Sequence, residues 1–319
     1  MTAQGPLAGV KVVEFAGIGP GPFCGMLLAD MGADVVIIGR PDGGKPSRVV
    51  ARGKTSLTLD LKSEAGRATT LRALAAADVL IEGFRPGVME RLGLGPEAVQ
   101  ALNPGLIYGR MTGWGQTGPM AATAGHDLSY IAVTGALAAM GSPDRPPTPP
   151  LNLVGDYGGG ALYLAMGVCA ALFERSRSGK GQVIDAAIVD GVASLMGSLM
   201  AFPPAGRFLD RERSVMGGAS PSYRCYRCAD GRDVAVGALE PQFFAVLLRL
   251  LELDPAGVGD RHDRAEWPRI SAMIGARFAT RPRDEWAALF ADTDACVSPV
   301  LTIDEAPAHR QVAERGLYV

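Results

Sequence analysis

One of the three histidines in this chain of 319 residues stands in Gly125-His126-Asp127, directly before an apolar stretch, residues 128–140, of helical character. A histidine side chain titrates near neutrality, so it can take a proton and give it back at physiological pH. A helix N-terminus adds unpaired N–H donors and a partial positive charge that can hold a developing oxyanion. Asp156, in the run NLVGDYGGG, opens a second helix, and Gly158, Gly159 and Gly160 behind it permit close approach of backbone to a ligand. Together His126 and Asp156 could serve as two bases on opposite faces of one carbon. The structural alternative is that Asp127 caps its helix, His126 packs beneath a loop and Asp156 is an ordinary N-cap.

A second set of residues suits phosphates. The glycine loop at residues 17–25 follows an apolar strand, but Pro20 and Pro22 interrupt a dinucleotide fingerprint. The next strand ends in Gly39 and Arg40, where an NAD site would place an acid. An arginine there fits a phosphorylated ribose, as carried by NADP or by coenzyme A. Lys62, Arg85 and Arg91 fall after later strands or one helix further on, with Arg52 and Lys54 in the preceding loop. Cations at consecutive strand ends would line one edge of a sheet and cradle a diphosphate plus a ribose phosphate. Solvated surface charge is the alternative reading.

The elements that must position these groups alternate along the first half of the chain. Strands are expected at residues 10–15, 33–38, 56–61, 78–83 and 105–110, with helices at 23–31 and 64–77 and a further strand at 183–187. Such alternation implies crossovers and a parallel sheet covered by helices on both faces, an α/β domain whose ligands gather at the carboxyl ends of its strands. A helix carrying Met196 and Met200 then leads into a linker rich in Pro, Gly, Arg and Ser. Beyond it come a hairpin, a helix at 241–253, helices from Arg264 and Arg283, and a short strand at 297–302. The expected division is a large α/β domain over 1–202, a linker over 203–221 and a small α+β domain over 222–303. No solenoid repeat or low-complexity tract is visible.

Composition narrows the function. A hydrophobic fraction of 48% with 20% charged residues suits a sizeable core, and a net charge of -2 argues against nucleic acid as a partner. The N-terminus lacks the pattern of a secretory signal, so a cytoplasmic protein is expected. Residues 157–173 are the best membrane candidate, but they are short of a span and bounded by Asp156 and Glu174, so a buried core helix is expected. Five cysteines, an odd number without framework spacing, suit a reducing compartment. The lone pair Cys225 and Cys228 reads as alternating positions on a hairpin strand, in preference to half a zinc site.

Seven stretches carry a resemblance: GPLAGVKVVEFAGIGPGPFCGMLLADMGADVV, ARGKTSLTLDLK, DVLIEGFRPGVMERLGLG, GRMTGWGQTGP, AGHDLSYIAVTGAL, NLVGDYGGGALYLAMGV and GKGQVIDAAIVDG. They resemble the class III coenzyme A transferase superfamily, and within it the α-methylacyl-CoA racemases. The resemblance implies a Rossmann-like large domain in an interlocked homodimer, and an acyl-CoA thioester substrate. It implies that His126 and Asp156 exchange the α-proton and that Glu240, in GALEPQFF, supports the histidine. The backbone N–H of Asp127 becomes a candidate for the thioester oxygen. Coenzyme A contacts map to Arg40, Leu59, Asp60, Leu61, Lys62, Gly83, Phe84, Arg85 and Arg91, and substrate contacts to Gly125, Leu128, Ser129 and Tyr130. No redox cofactor or metal is then expected. Met196, Met200 and Met216 offer flexible thioethers over which a branched acyl chain can swing, the alternative being that they fill core gaps. Residues 304–319 are expected to begin a segment that returns to the large domain, where family members continue for some tens of residues. The competing readings are a CoA transferase with Asp156 as nucleophile, a non-catalytic acyl-CoA-binding protein and, last, an NADP oxidoreductase.

Overall fold

Val12, Val13 and Phe15 are buried in β1 (Lys11–Phe15), the strand from which the large sheet grows in both directions. In the computed structural model, which describes residues 4–44, 47–142, 145–201, 210–212 and 214–318, β2 (Asp34–Gly39) and β3 (Lys54–Thr58) add to one side of β1. On the other side lie β4 (Val79–Glu82), β5 (Ile107–Thr112) and β6 (Val183–Ala187). All pairings are parallel, and the order β3-β2-β1-β4-β5-β6 is that of a doubly wound sheet. The chain reverses its direction of travel between β1 and β4, and the crevice at the carboxyl ends of these strands is where such sheets take ligands.

Helices cover both faces, as expected. α1 (Pro20–Asp30) connects β1 to β2, α2 (Glu64–Ala75) connects β3 to β4, and the short α3 (Val88–Arg91) and α4 (Pro96–Leu102) precede β5. Leu74, Met89 and Val99 from the last three pack with Val13, Phe15, Leu80 and Tyr108 on one face. After α5 (Asp127–Val133), a π-helical stretch, Leu153–Ala161, runs without a break into α6 (Leu162–Ser178), and α7 (Ile188–Met200) follows β6. α1 and α6 take the other face, where a Cβ on Gly25 would lie 1.8 Å from Glu14 Oε2 and one on Gly109 would lie 2.9 Å from Leu164.

Several boundaries differ from the sequence expectation. α1 begins at Pro20 instead of residue 23, because proline suits the first turn of a helix, where its missing N–H costs nothing. The glycine loop is therefore short, with only Gly17 and Gly19 outside the helix. β3 lies at Lys54–Thr58 and not at 56–61; Asp60 ends it by accepting the Lys62 N–H at 3.0 Å and, through its carbonyl, the Ser63 hydroxyl at 2.7 Å. The helix Leu153–Ser178 is 26 residues and the one helix among the described residues long and apolar enough to cross a bilayer. Its residues Leu164, Ala165, Val168 and Ala171 are buried within the large unit.

The chain forms two compact units: Met1–Leu137 with Pro149–Ser198, and Ala138–Thr148 with Leu199–Val319. The large unit thus ends at 198, not 202, and residues 138–148 join the small one. Of the expected linker at 203–221, residues 203–209 and 213 lie outside the described residues. Its later part packs into the small unit, where Ser214 and Ser220 are buried and the Pro221 carbonyl accepts the Tyr226 hydroxyl at 2.6 Å. In this unit β7 (Tyr223–Arg227), β8 (Asp233–Gly237) and β9 (Val297–Pro299) form an antiparallel sheet in that order. Around it lie α8 (Pro241–Leu250), α9 (Pro255–Val258), α10 (Trp267–Phe278), α11 (Arg283–Phe290) and α12 (Arg310–Glu314). α8 stops three residues short of the expected 253. Tyr226, Val234 and Val236 turn inward against Leu247, Ile274, Phe278 and Trp286. Strand alternation leaves Cys225 exposed while Cys228, just past β7, is buried, and all five cysteines are free, in agreement with the hairpin reading. Residues 304–318, expected to head back to the large domain, pack on the small unit instead: Glu305 pairs with Arg283 at 2.8 Å and Arg310 with Asp292.

Candidate active site

The geometry around His126 separates the two readings that the sequence allowed. His126 is the N-cap of α5, with extended backbone and no capping hydrogen bond from its side chain, and it is exposed. It does not pack beneath a loop. Ser129 is the first residue of α5 whose N–H bonds back to the helix, reaching the His126 carbonyl at 2.8 Å. The earlier N–H groups of the turn, Asp127 and Leu128, are the donors that a helix start leaves over. Leu128 and Ser129 are exposed and Tyr130 is buried. Gly125 and Gly113 admit the Tyr130 ring: a Cβ would come within 2.6 Å of it at Gly125 and 2.0 Å at Gly113. Trp114 meets the same ring edge-on at 4.8 Å between centroids. Burial, and after it the charge of Asp156, push the Tyr130 hydroxyl up, against the pull of Arg85.

Asp127 does not cap its own helix. Its side chain is 7% exposed, and its Oδ2 accepts the backbone N–H of Asp156 at 2.6 Å, bridging 29 residues. Asp156 is the fourth residue of the π-helical stretch, one place before Tyr157, whose N–H bonds to the Asn152 carbonyl at 3.2 Å. Its own carboxylate is half-buried beside Gly19, where a Cβ would lie 3.2 Å from Oδ2. It accepts a long 3.4 Å bond from Asn152. Burial pushes the Asp156 carboxyl above the usual aspartate range; the charge of Asp127 adds to this, while the Asn152 amide and His126 oppose it. A carboxyl raised in this way is suited to carry and deliver a proton.

Of the glycines after Asp156, Gly159 serves packing. A Cβ on Gly159 would lie 2.6 Å from Val192 of α7, and one on Gly191 would lie 1.8 Å from the Gly159 carbonyl. They let the two helices cross at backbone contact.

The phosphate candidates divide into two groups. Arg40, Lys62, Arg85 and Arg91 are exposed; the Arg40 guanidinium comes no nearer a carboxylate than 4.0 Å, at Asp42, and the other three have no carboxylate partner among the described residues. Arg52 and Lys54 do not belong with them. Arg52 is held by Asp30 at 2.5 Å, and Lys54, a strand residue, is fully buried against Glu14 at 2.6 Å. Leu59 and Asp60 are on the turn after β3, while the Leu61 side chain enters the core. Gly83, Phe84 and Arg85 follow β4, and Glu82 shapes their turn by accepting the Phe84 N–H at 2.8 Å while Arg110 holds its other oxygen at 3.0 Å. Glu82 and the carboxylate of Asp127 were missed in the sequence; a lone acid inside the apolar strand DVLIEG was the available signal for the first.

Three named candidates lie in the small unit. Glu240 is the N-cap of α8, close enough to Arg261 and Cys296 to act on both charges. Met216 is 48% exposed and Met200, at the end of α7, is 60% exposed. Met196, in the large unit, is 8% exposed and fills the core, which corrects its expected place on an acyl-chain surface. Among the described residues no three of His, Cys, Asp and Glu cluster as metal ligands.

Residues 7–319 match CoA-transferase family III. Over 314 residues, 98% of this chain and 82% of the relative, the chain is 47% identical to the alpha-methylacyl-CoA racemase of Mus musculus. With that of Homo sapiens, identity is 44% over the same shares. The crystal structure of a CAIB/BAIF family protein from Brucella suis superposes with a TM-score of 0.84 at 31% identity, covering 99% of this chain and 89% of that one.

Proposed function

The chain belongs to CoA-transferase family III, and on that premise we propose that it interconverts the (2R) and (2S) epimers of 2-methylacyl-CoA thioesters by 1,1-proton transfer. A thioester makes its α-proton more acidic than an ester would, and removing that proton leaves an enolate whose oxygen needs donors. His126 takes the proton from one face while protonated Asp156 delivers one to the other; the roles reverse for the opposite epimer. The Asp127 N–H faces the thioester oxygen, and a donor so placed contributes about 3 kcal/mol to the transition state. The observation that carries this reading is the bond from Asp156 N–H to Asp127 Oδ2. It ties the second base to the residue next to the first.

Coenzyme A is proposed to lie along the carboxyl ends of β2, β3 and β4, with Arg40, Lys62, Arg85 and Arg91 near its phosphates and the turns at Leu59–Lys62 and Gly83–Arg85 beneath it. Proton transfer between two side chains calls for no redox cofactor or metal. The proposal includes Glu240 as the acid supporting His126, and Met200 and Met216 as acyl-chain contacts. A homodimer is part of it, supported by Leu162, Met166 and Phe173, which expose 51%, 61% and 66% along one face of α6. Five free cysteines support a reducing compartment, the cytoplasm.

The test is to incubate one pure epimer of a 2-methylacyl-CoA with the protein in D2O and follow chirality and mass at Cα. The other epimer, carrying deuterium, is the expected product. Retained chirality without deuterium, from folded protein, overturns the reading; a hydroxylamine-trapped acyl-aspartate at Asp156 after adding a carboxylate acceptor would establish CoA transfer instead.

A further inference from the structure

We propose that the carboxylate of Asp127 is a positioning group for the second base, fixing where Asp156 stands relative to His126. The proposal rests on the proton-transfer reading above and deepens it. Adjacent residues face opposite ways: His126 is exposed, while Asp127 is buried against the start of the next helix. Of the N–H groups that open that helix, Asp156 contributes the last without an intrahelical acceptor, and Asp127 Oδ2 takes it at 2.6 Å.

Two further observations mark this contact as more than a convenient cap. Asp127 Oδ1 is buried with no hydrogen-bond partner among the described residues. A buried carboxylate with one oxygen unsatisfied is costly, and an uncharged capping side chain would avoid the cost. Gly155 stands where a Cβ would lie 2.3 Å from Asp127 Oδ2, so the approach exists only because that position has no side chain. The same carboxylate places a negative charge beside Asp156. The other groups that face Asp156 are His126 and Tyr130 from α5, Asn152 from its own helix and the backbone of Gly19, with Arg85 acting on Tyr130. Asp127 thus holds Asp156 in place, and its charge adds to the effect of burial in pushing that carboxyl above the usual aspartate range.

Two variants separate position from charge. Asp127→Asn keeps an oxygen for the Asp156 N–H and removes the charge; Asp127→Ala removes both. The Asp156 carboxyl is followed by carbon-13 NMR titration in the full chain, and Cα exchange by mass spectrometry in D2O. In Asp127→Asn, Asp156 should titrate at lower pH than in wild type, and the limb of the pH-rate profile that follows its deprotonation should move the same way. Asp127→Ala should lower kcat by at least about tenfold with KM within about twofold, the signature of a misplaced reacting group. Wild-type kcat in Asp127→Ala overturns the proposal, as does a loss in that variant confined to KM. If wild type exchanges no Cα proton but Asp156 titrates differently in Asp127→Ala and in Asp127→Asn, the catalytic reading falls and the positioning stands.

Discussion

Glu14 Oε2 and Lys54 Nζ lie 2.6 Å apart inside the large unit, each side chain exposed by 1% or less. Lys54 also donates to the Pro22 carbonyl at 2.8 Å, so the pair ties β1, β3 and the first turn of α1 into one joint. Burial pushes the Glu14 carboxyl up to about 7, against the pull of Lys54.

A carboxyl whose folded value lies above its unfolded one binds its proton more tightly in the native state. Its contribution to stability is therefore complete below the ordinary glutamate value of 4.5 and lost as pH rises through about 7. Urea unfolding at pH 5 and pH 7.5 should show wild type losing about 2 kcal/mol relative to Glu14→Gln over that interval. Parallel stability curves for the two proteins would contradict it.

Removing either base should divide the reaction by epimer. His126→Ala and Asp156→Asn should each lower racemisation by at least about a thousandfold. Each should still wash deuterium into Cα from one epimer, and not the same one. Exchange lost equally from both epimers in both variants would argue against one base on each face.

Arg85 and Arg91 are exposed cations without a carboxylate partner among the described residues. Arg85→Ala and Arg91→Ala should each raise KM for acyl-CoA about tenfold with kcat nearly unchanged, and the effect should shrink at high salt. Steady-state kinetics across ionic strength checks this; a change in kcat alone would remove these residues from the phosphate site.

Met196 and Met200 should separate in their effects. Met196→Ala opens a core cavity and should cost roughly 3 kcal/mol in urea unfolding while leaving the preference for acyl length unaltered. Met200→Ala should change stability by less than about 0.5 kcal/mol, and, if the chain lies over it, weaken long acyl groups selectively. A chain-length shift in Met196→Ala would return that residue to the acyl surface.

The sheet was legible because β1, β2 and β4 each carry a short β-branched or apolar run between helical stretches, the alternation of a parallel sheet, and β6 falls at residues 183–187 as the pattern implied. β3 was misplaced because the alternation in SLTLDL continues past the strand into a turn built by Asp60 and Ser63. His126 and Asp156 were legible as chemistry, since their residue types and helix starts are local facts. What Asp127 and the glycines do was not. The partner of Asp127 lies 29 residues on, Gly159 answers to Gly191, and one sequence carries no mark of which distant residues meet. Lys54 looked like a loop cation for the same reason: Glu14, which accepts its hydrogen bond, is 40 residues away.

On the proposed mechanism, the π-helical opening of α6 makes length matter to catalysis. Each turn there holds one residue more than an α-helix would, so deleting a single residue between Asn152 and Ala161 would let the segment tighten and rotate everything before it by about 100°. Asp156 would remain in the sequence, chemically intact, and face elsewhere. A homologue can keep both bases and still be inert for want of one spacer, and a survey that counts only the presence of the acid would score that protein as active.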